Sequence, residues 1–90
     1  MRTVCLKISG RVQGVGFRNN TKAIAKSYGV SGFVRNEPDG SVYIEAEGQS
    51  GNLGLFIEWC RKGSPRAYVD SVIVIEIPPV GFCGFNIISY

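Results

Sequence analysis

A chain of 90 residues has room for one compact core, so we expect a single domain over residues 1–90. Hydrophobic residues make up 44% and charged residues 19% of the chain, a composition that is typical of globular proteins and excludes a disordered one. The net charge of +3 suits an anionic ligand, but the lysines and arginines are scattered, so no nucleic-acid-binding tail is indicated.

Targeting and redox signals are few. The N-terminal residues MRTVCLKIS lack the apolar run of a signal peptide, and no apolar stretch reaches the length of a membrane span, so we expect a cytoplasmic protein. Cys5, Cys60 and Cys83 are widely spaced and fit reduced thiols better than a disulfide framework, although one bridge stays open. The chain has no histidine, the commonest metal ligand, so we expect no metal site.

The first strand and the first helix flank a glycine-rich segment. Residues 3–9 alternate polar and apolar side chains, which predicts a half-buried strand with three inward residues, Val4, Leu6 and Ile8. Residues 21–28 predict a short helix that ends at Gly29, because glycine favours the position after a helix. Between them lies GRVQGVGFR, residues 10–18, which we call the glycine-rich loop.

The middle of the chain predicts a β-hairpin. Strands over residues 32–36 and 41–47 are separated by Glu37-Pro-Asp-Gly40, in which proline, aspartate and glycine stand where a tight turn favours them. The second strand has an apolar inward face that comprises Val42, Ile44 and Ala46. We expect the acidic side chains of the hairpin to be solvated charges, namely Asp39, Glu45 and Glu47.

The second half of the chain predicts one helix and two strands. Residues 52–62 carry an apolar stripe at helical spacing, comprising Leu53, Phe56, Ile57 and Cys60 and widened by Leu55 and Trp59. Strands are predicted over residues 69–77 and 85–88. The order βαββαβ, with a further short strand at the end, indicates an α+β fold of the ferredoxin-like type, an antiparallel sheet with two helices packed on one face.

The glycine-rich loop has two interpretations. Gly10, Gly14 and Gly16 would serve a strand-to-helix connection that needs positive φ angles. Alternatively, the backbone N–H groups of residues 13–18 point into one concavity at a helix N-terminus and bind a phosphate-sized anion, to which Arg18 adds its charged fork. The spacing matches neither GxxxxGK[ST] nor GxGxxG, so the pattern alone leaves both interpretations open.

Three stretches of the chain resemble the acylphosphatase family. GRVQGVGFR is similar to the family's signature loop, and GFVRNEPDGSV, residues 32–42, is similar to its second conserved stretch. FIEWCRKGSP, with the following Ala67, Val69 and Val72, resembles the part after it. The resemblance spans nearly the whole chain and implies the family's βαββαβ sandwich.

The resemblance also implies an activity and a set of site residues. Members of the family hydrolyse the carboxyl–phosphate bond of small acyl phosphates to a carboxylate and inorganic phosphate, without a metal, a cofactor or a covalent intermediate. It implies a monomer that binds a small acyl phosphate and neither nucleic acid nor membrane. It assigns water positioning to Asn36. The phosphoryl group would be held by Arg18 and by the loop backbone, namely Gln13, Gly14, Val15, Gly16, Phe17 and Arg18.

The implied chemistry fits a chain without histidine. The leaving group of an acyl phosphate is a carboxylate, the anion of an acid with a pKa of about 4, so it departs without a proton from the protein. Phosphoryl transfer passes through a loose transition state in most analyses, so little activation of the nucleophile is needed. Backbone amides and an arginine can stabilise the phosphoryl charge, and a side-chain amide can orient water.

Three residues depart from the pattern of relatives. Asn19 and Asn20 stand where relatives often carry bulkier side chains, and Glu37 follows the asparagine where Thr is common in animal members. These departures bear on substrate preference and phosphate affinity.

Simpler roles and rival functions stay open. Arg18 could be a surface ion-pair partner, Asn36 could begin the hairpin, and Gln13 could only brace the loop. A small βαββαβ domain could also bind RNA by stacking bases on Phe33 and Tyr43, although no RNP-like run is present. The second rival is a regulatory domain that binds phosphate or an acyl phosphate without turnover.

Overall fold

The structure is a computed structural model and describes residues 1–89. The strands of this part of the chain are β1 (Arg2–Arg11), β2 (Ser31–Asn36), β3 (Val42–Gly48), β4 (Tyr68–Ile77) and β5 (Phe85–Ile88). The helices are α1 (Phe17–Ser27) and α2 (Ser50–Lys62). Every predicted element is present. Neither helix is long and apolar enough to cross a membrane.

The strands form one sheet in the order β4-β1-β3-β2-β5. The pairs β4–β1, β1–β3 and β3–β2 are antiparallel, as predicted. The last strand, β5, lies beside β2 and runs parallel to it, so the sheet is mixed and not antiparallel throughout as predicted. The two helices pack on this sheet, and the predicted ferredoxin-like α+β fold is confirmed.

The core lies between the sheet and the helices. On β1, the side chains of Val4, Leu6 and Ile8 are fully buried, and each lies opposite an apolar partner on β3. The helices cover this face with side chains that are also buried, namely Phe17, Ala25, Leu53, Phe56, Ile57 and Cys60. Full burial of one large apolar side chain stabilises the fold by about 1.5–3 kcal/mol. The inward face predicted from the alternating pattern is therefore confirmed.

The first helix begins earlier than predicted. It starts at Phe17, not at residue 21, so Arg18 lies in its first turn and not in the preceding loop. Asn19 and Asn20 have low helix propensity, and for this reason the sequence predicted too late a start for the helix. Burial of Phe17 outweighs that preference, because the residue is 1% exposed and its ring packs at a tilt against Trp59 with ring centroids 5.5 Å apart.

The second helix departs from the predicted stripe at two positions. Leu55 is 52% exposed and does not belong to the core, so this part of the prediction was wrong. Trp59 is half-buried and packs against the edge of the core. The narrower stripe of Leu53, Phe56 and Cys60 is fully buried, which is the spacing expected for one helical face.

Glu47 was expected to be solvated, and this expectation is wrong. Its carboxylate accepts a hydrogen bond from Thr3 Oγ1 at 2.5 Å and three more from the backbone N–H groups of Val80, Gly81 and Phe82 at 2.9–3.0 Å. Glu47 is 2% exposed because the connection between β4 and β5 covers it. These hydrogen bonds, with that of Thr3 the largest, lower the pKa of the Glu47 carboxyl below its ordinary 4.5.

The other two acidic side chains of the hairpin differ in exposure. Asp39 is exposed, as expected, and forms an ion pair with Lys7 at 2.9 Å. Glu45 is half-buried and accepts a hydrogen bond from Tyr43 Oη at 2.7 Å. Only the Asp39 part of the expectation therefore agrees fully with the structure.

We predict that Glu47→Gln destabilises the fold at neutral pH. The glutamine amide keeps one acceptor oxygen, but its NH₂ group would face the backbone N–H groups of residues 80–82, which cannot accept a hydrogen bond from it. The folded carboxyl has the lower pKa, so its contribution is present above the ordinary pKa and is lost as the pH falls through the folded value. The difference in urea midpoint between wild type and variant should therefore narrow in acid. A difference that is constant with pH would contradict this, and the exposed Glu58→Gln serves as the control.

Candidate active site

The glycine-rich loop has the backbone conformation of an anion-binding nest. Gly14 and Gly16 lie in the left-handed region with φ angles of 73° and 76°, and Val15 between them has a negative φ. When successive residues alternate between left-handed and right-handed backbone conformations, their N–H groups point toward the same side. A side chain at either glycine would be strained, since L residues rarely adopt these angles.

The nest leads directly into the N-terminus of α1. Gly16 is the N-cap, no side chain caps the helix, and the first turn carries no acidic residue. The first backbone donor to bond back along the helix is Asn20, whose N–H lies 3.1 Å from the oxygen of Gly16. The N–H groups of Phe17, Arg18 and Asn19 precede that bond and lie at the positive end of the helix dipole. This end of α1 therefore favours an anion.

A concavity of about 280 Å³, which we call the loop cavity, lies against this N-terminus. The loop and the start of α1 line one side, with Gly14, Gly16 and Arg18. Ile87 and Ser89, from β5 and the residue after it, line the other side. The loop cavity thus combines backbone donors with one guanidinium.

Arg18 connects the loop cavity to a second and larger one. Its side chain is half-buried, and Nη1 lies 3.4 Å from Ser89 Oγ, which accepts its hydrogen bond. Arg18 also lines a cavity of about 620 Å³ at the end of β2, which we call the strand-end cavity. Within residues 1–89, none of the ion pairs involves Arg18. The structure therefore gives no support to a role for Arg18 as a surface ion-pair partner.

Asn36 stands at the end of β2 and lines the strand-end cavity together with Arg18. Its side-chain oxygen Oδ1 is buried and has no hydrogen-bond partner among the described residues. A buried acceptor without a partner costs about 1–3 kcal/mol, and native proteins rarely leave one without a reason. The structure thus brings the two predicted side chains, Arg18 and Asn36, to one cavity.

Gln13 links the glycine-rich loop to the turn that follows Asn36. Its side-chain Nε2 donates to the backbone oxygens of Glu37 and Ser41 at 2.8 and 2.9 Å. Those two residues also close the turn, since the Glu37 N–H donates to the Ser41 oxygen at 2.9 Å. The side chain of Gln13 therefore braces the loop against the hairpin, which fits the simpler role that its sequence position allowed.

Five further residues line the strand-end cavity, namely Arg35, Glu37, Pro38, Ile88 and Ser89. Of these, sequence reasoning singled out only Glu37, as a departure that bears on phosphate affinity. The first three flank Asn36 in the chain, so their proximity could have been inferred from the predicted hairpin. Ile88 and Ser89 come from the other end of the chain. They reach the cavity only because β5 pairs with β2, and nothing in the sequence indicates that pairing.

The chain is similar to proteins of one family. The family model described as Acylphosphatase matches residues 4–87. A protein named Acylphosphatase from Thermotoga petrophila is 46% identical over 90 residues, which cover 100% of both chains. The crystal structure of acylphosphatase from Bacillus subtilis is 37% identical with a TM-score of 0.95, and the match covers 99% of this chain and 100% of that one.

The same fold also occurs inside a much longer protein. The crystal structure of HypF from T. kodakarensis is 33% identical with a TM-score of 0.86, and the match covers 100% of this chain but 12% of that one. The relatives that match over their whole length are those named acylphosphatase. The chain therefore belongs to the acylphosphatase family, and it is an enzyme of that type.

Proposed function

We propose that this protein hydrolyses the carboxyl–phosphate bond of small acyl phosphates, with Arg18 and the loop amides holding the phosphoryl group and Asn36 orienting the attacking water. The observation that carries the proposal is that Arg18, from the start of α1, and Asn36, from the end of β2, line one cavity. The proposed enzyme acts as a monomer on a small-molecule substrate and needs neither nucleic acid nor a membrane.

The phosphoryl group would sit at the N-terminus of α1. Its peripheral oxygens accept hydrogen bonds from the backbone N–H groups of the loop, and the guanidinium of Arg18 adds charge-assisted hydrogen bonds. Gly14 and Gly16 permit the left-handed turns of the loop, and the hydrogen bonds of Gln13 tie it to the hairpin, so the donors are positioned before the substrate arrives. Fixed donors stabilise developing charge without a reorganisation cost during the reaction.

Asn36 would hold the nucleophile. The side-chain amide of Asn36 can form a hydrogen bond to a water molecule whose lone pair points at phosphorus, in line with the bond that breaks. A new bond forms between the water oxygen and phosphorus while the bond between phosphorus and the acyl oxygen breaks. The products are a carboxylate, inorganic phosphate and one proton, which leaves to solvent.

The wild-type protein should hydrolyse benzoyl phosphate in the presence of a metal chelator. The decrease in the ultraviolet absorbance of the substrate measures this hydrolysis. The carboxylate leaving group needs no protonation, so turnover should proceed without a histidine or a metal. Binding of inorganic phosphate without turnover would overturn the proposed activity and favour a regulatory phosphate-binding domain.

Arg18→Ala should lower kcat/KM for benzoyl phosphate by several orders of magnitude, because arginines that contact a transferring phosphoryl group contribute about 10³- to 10⁵-fold in rate. Arg61→Ala is the matched control, since Arg61 is an exposed arginine of α2 that lines neither cavity. Circular dichroism should show that both variants fold. A folded Arg18→Ala variant with near-normal turnover would disprove the assignment.

Asn36→Ala should lower kcat by about 100-fold or more, because a misplaced reactant costs that much, and should leave the affinity for inorganic phosphate nearly unchanged. The variant should lose turnover and keep phosphate affinity because Asn36 is proposed to orient water, whereas Arg18 is proposed to hold the phosphoryl group. Competitive inhibition by phosphate measures the affinity, and Asn52→Ala on the exposed side of α2 is the control. Equal loss of phosphate affinity and turnover would assign Asn36 to phosphoryl binding instead.

A further inference from the structure

The strand-end cavity contains an ion pair that the proposed mechanism does not use. Arg35 Nε donates to Glu37 Oε1 at 3.0 Å, and both residues line the cavity together with Arg18 and Asn36. The two side chains are 29% and 25% exposed, so water screens them less than it screens a surface pair. Glu37 thus places a carboxylate beside a site proposed for an anionic substrate.

Arg35 is held in place by two aromatic rings. Its guanidinium carbon lies 4.6 Å from the ring centroid of Tyr43 and 5.6 Å from that of Phe33. Both distances are within the range of cation–π attraction. The two rings therefore help to hold the guanidinium beside Glu37.

The charge balance of the strand-end cavity depends on this arrangement. Among residues 1–89, the charged side chains that line it are those of Arg18, Arg35 and Glu37, which together leave one net positive charge. An acyl phosphate brings a phosphoryl group with roughly 1.5 to 2 negative charges near neutral pH. Without Arg35, the carboxylate of Glu37 would cancel the charge of Arg18.

We infer that Arg35 neutralises Glu37 and thereby sets the affinity of the site for the phosphoryl group, so that the Arg35–Glu37 pair determines how strongly anionic substrates bind. Arg35 acts on the substrate through the electric field of the cavity and is not placed among the catalytic residues. This inference rests on the proposed function, since it takes the phosphoryl group to bind beside Arg18. It concerns binding strength and leaves the chemical step to Arg18 and Asn36.

The test measures binding of inorganic phosphate by calorimetry in the intact chain and in three variants. Arg35→Met should weaken binding by about three- to tenfold, since interaction energies of 0.7 to 1.4 kcal/mol, roughly those of unit charges a few ångströms apart in a watery site, correspond to such ratios. Glu37→Gln should tighten binding by about the same factor. The double variant should return to within about twofold of wild type, because the net charge of the cavity is then restored.

Controls separate this charge effect from a loss of structure. Arg61→Met changes the net charge of the protein equally, but Arg61 pairs with Glu58 on the exposed face of α2 and should leave phosphate binding unchanged. Arg35→Lys keeps the charge and should keep the affinity within about threefold of wild type. The differences among the variants should shrink at high salt.

Each contrary outcome has a distinct meaning. Equally weak binding by Arg35→Met and by the double variant would overturn the inference and assign Arg35 a structural role. Weakened binding by Glu37→Gln would overturn it as well, because the intact pair would then be what supports the site. No phosphate binding by the wild type would instead contradict the proposed function itself.

Discussion

The side-chain amide of Gln13 joins the two halves of the site, and the arrangement of the cavity depends on it. Its two hydrogen bonds reach from the glycine-rich loop to the turn after Asn36, across residues that are distant in the chain. One half carries backbone donors and Arg18, and the other carries Asn36. The relative position of the two halves rests on this brace and on the pairing of β1, β3 and β2 beneath it.

A second anchor supports the opposite wall of the site. The buried carboxylate of Glu47 holds three consecutive N–H groups, those of residues 80–82, and so fixes the connection that leads into β5. The ring of Phe82 packs edge-on against Phe33 at 5.9 Å, and the Gly32 N–H donates to the oxygen of Gly84. The strand β5 then delivers Ile88 and Ser89 to the cavity. Polar contacts on the outer face of the sheet thus shape a site at its end.

Local patterns predicted much of this molecule, and long-range contacts account for most of the rest. The alternation of β1 and β3 and the helical spacing of Leu53, Phe56 and Cys60 indicated the core correctly, because burial enforces those periods. The start of α1 and the burial of Glu47 were missed, since each depends on residues far away in sequence. The motif placed Arg18 and Asn36 together, but the parallel pairing of β5 that completes their cavity has no signal in the chain.

The central claim is that the glycine-rich loop and the start of α1 hold the phosphoryl group. A titration of the ¹⁵N-labelled protein with inorganic phosphate, followed by two-dimensional NMR, tests it most directly. The account predicts saturable shifts of the backbone amide signals of residues 14–18 and of the side-chain amide of Asn36, while signals of the exposed face of α2 stay in place. Saturable shifts confined to another surface, or none at all, would contradict it.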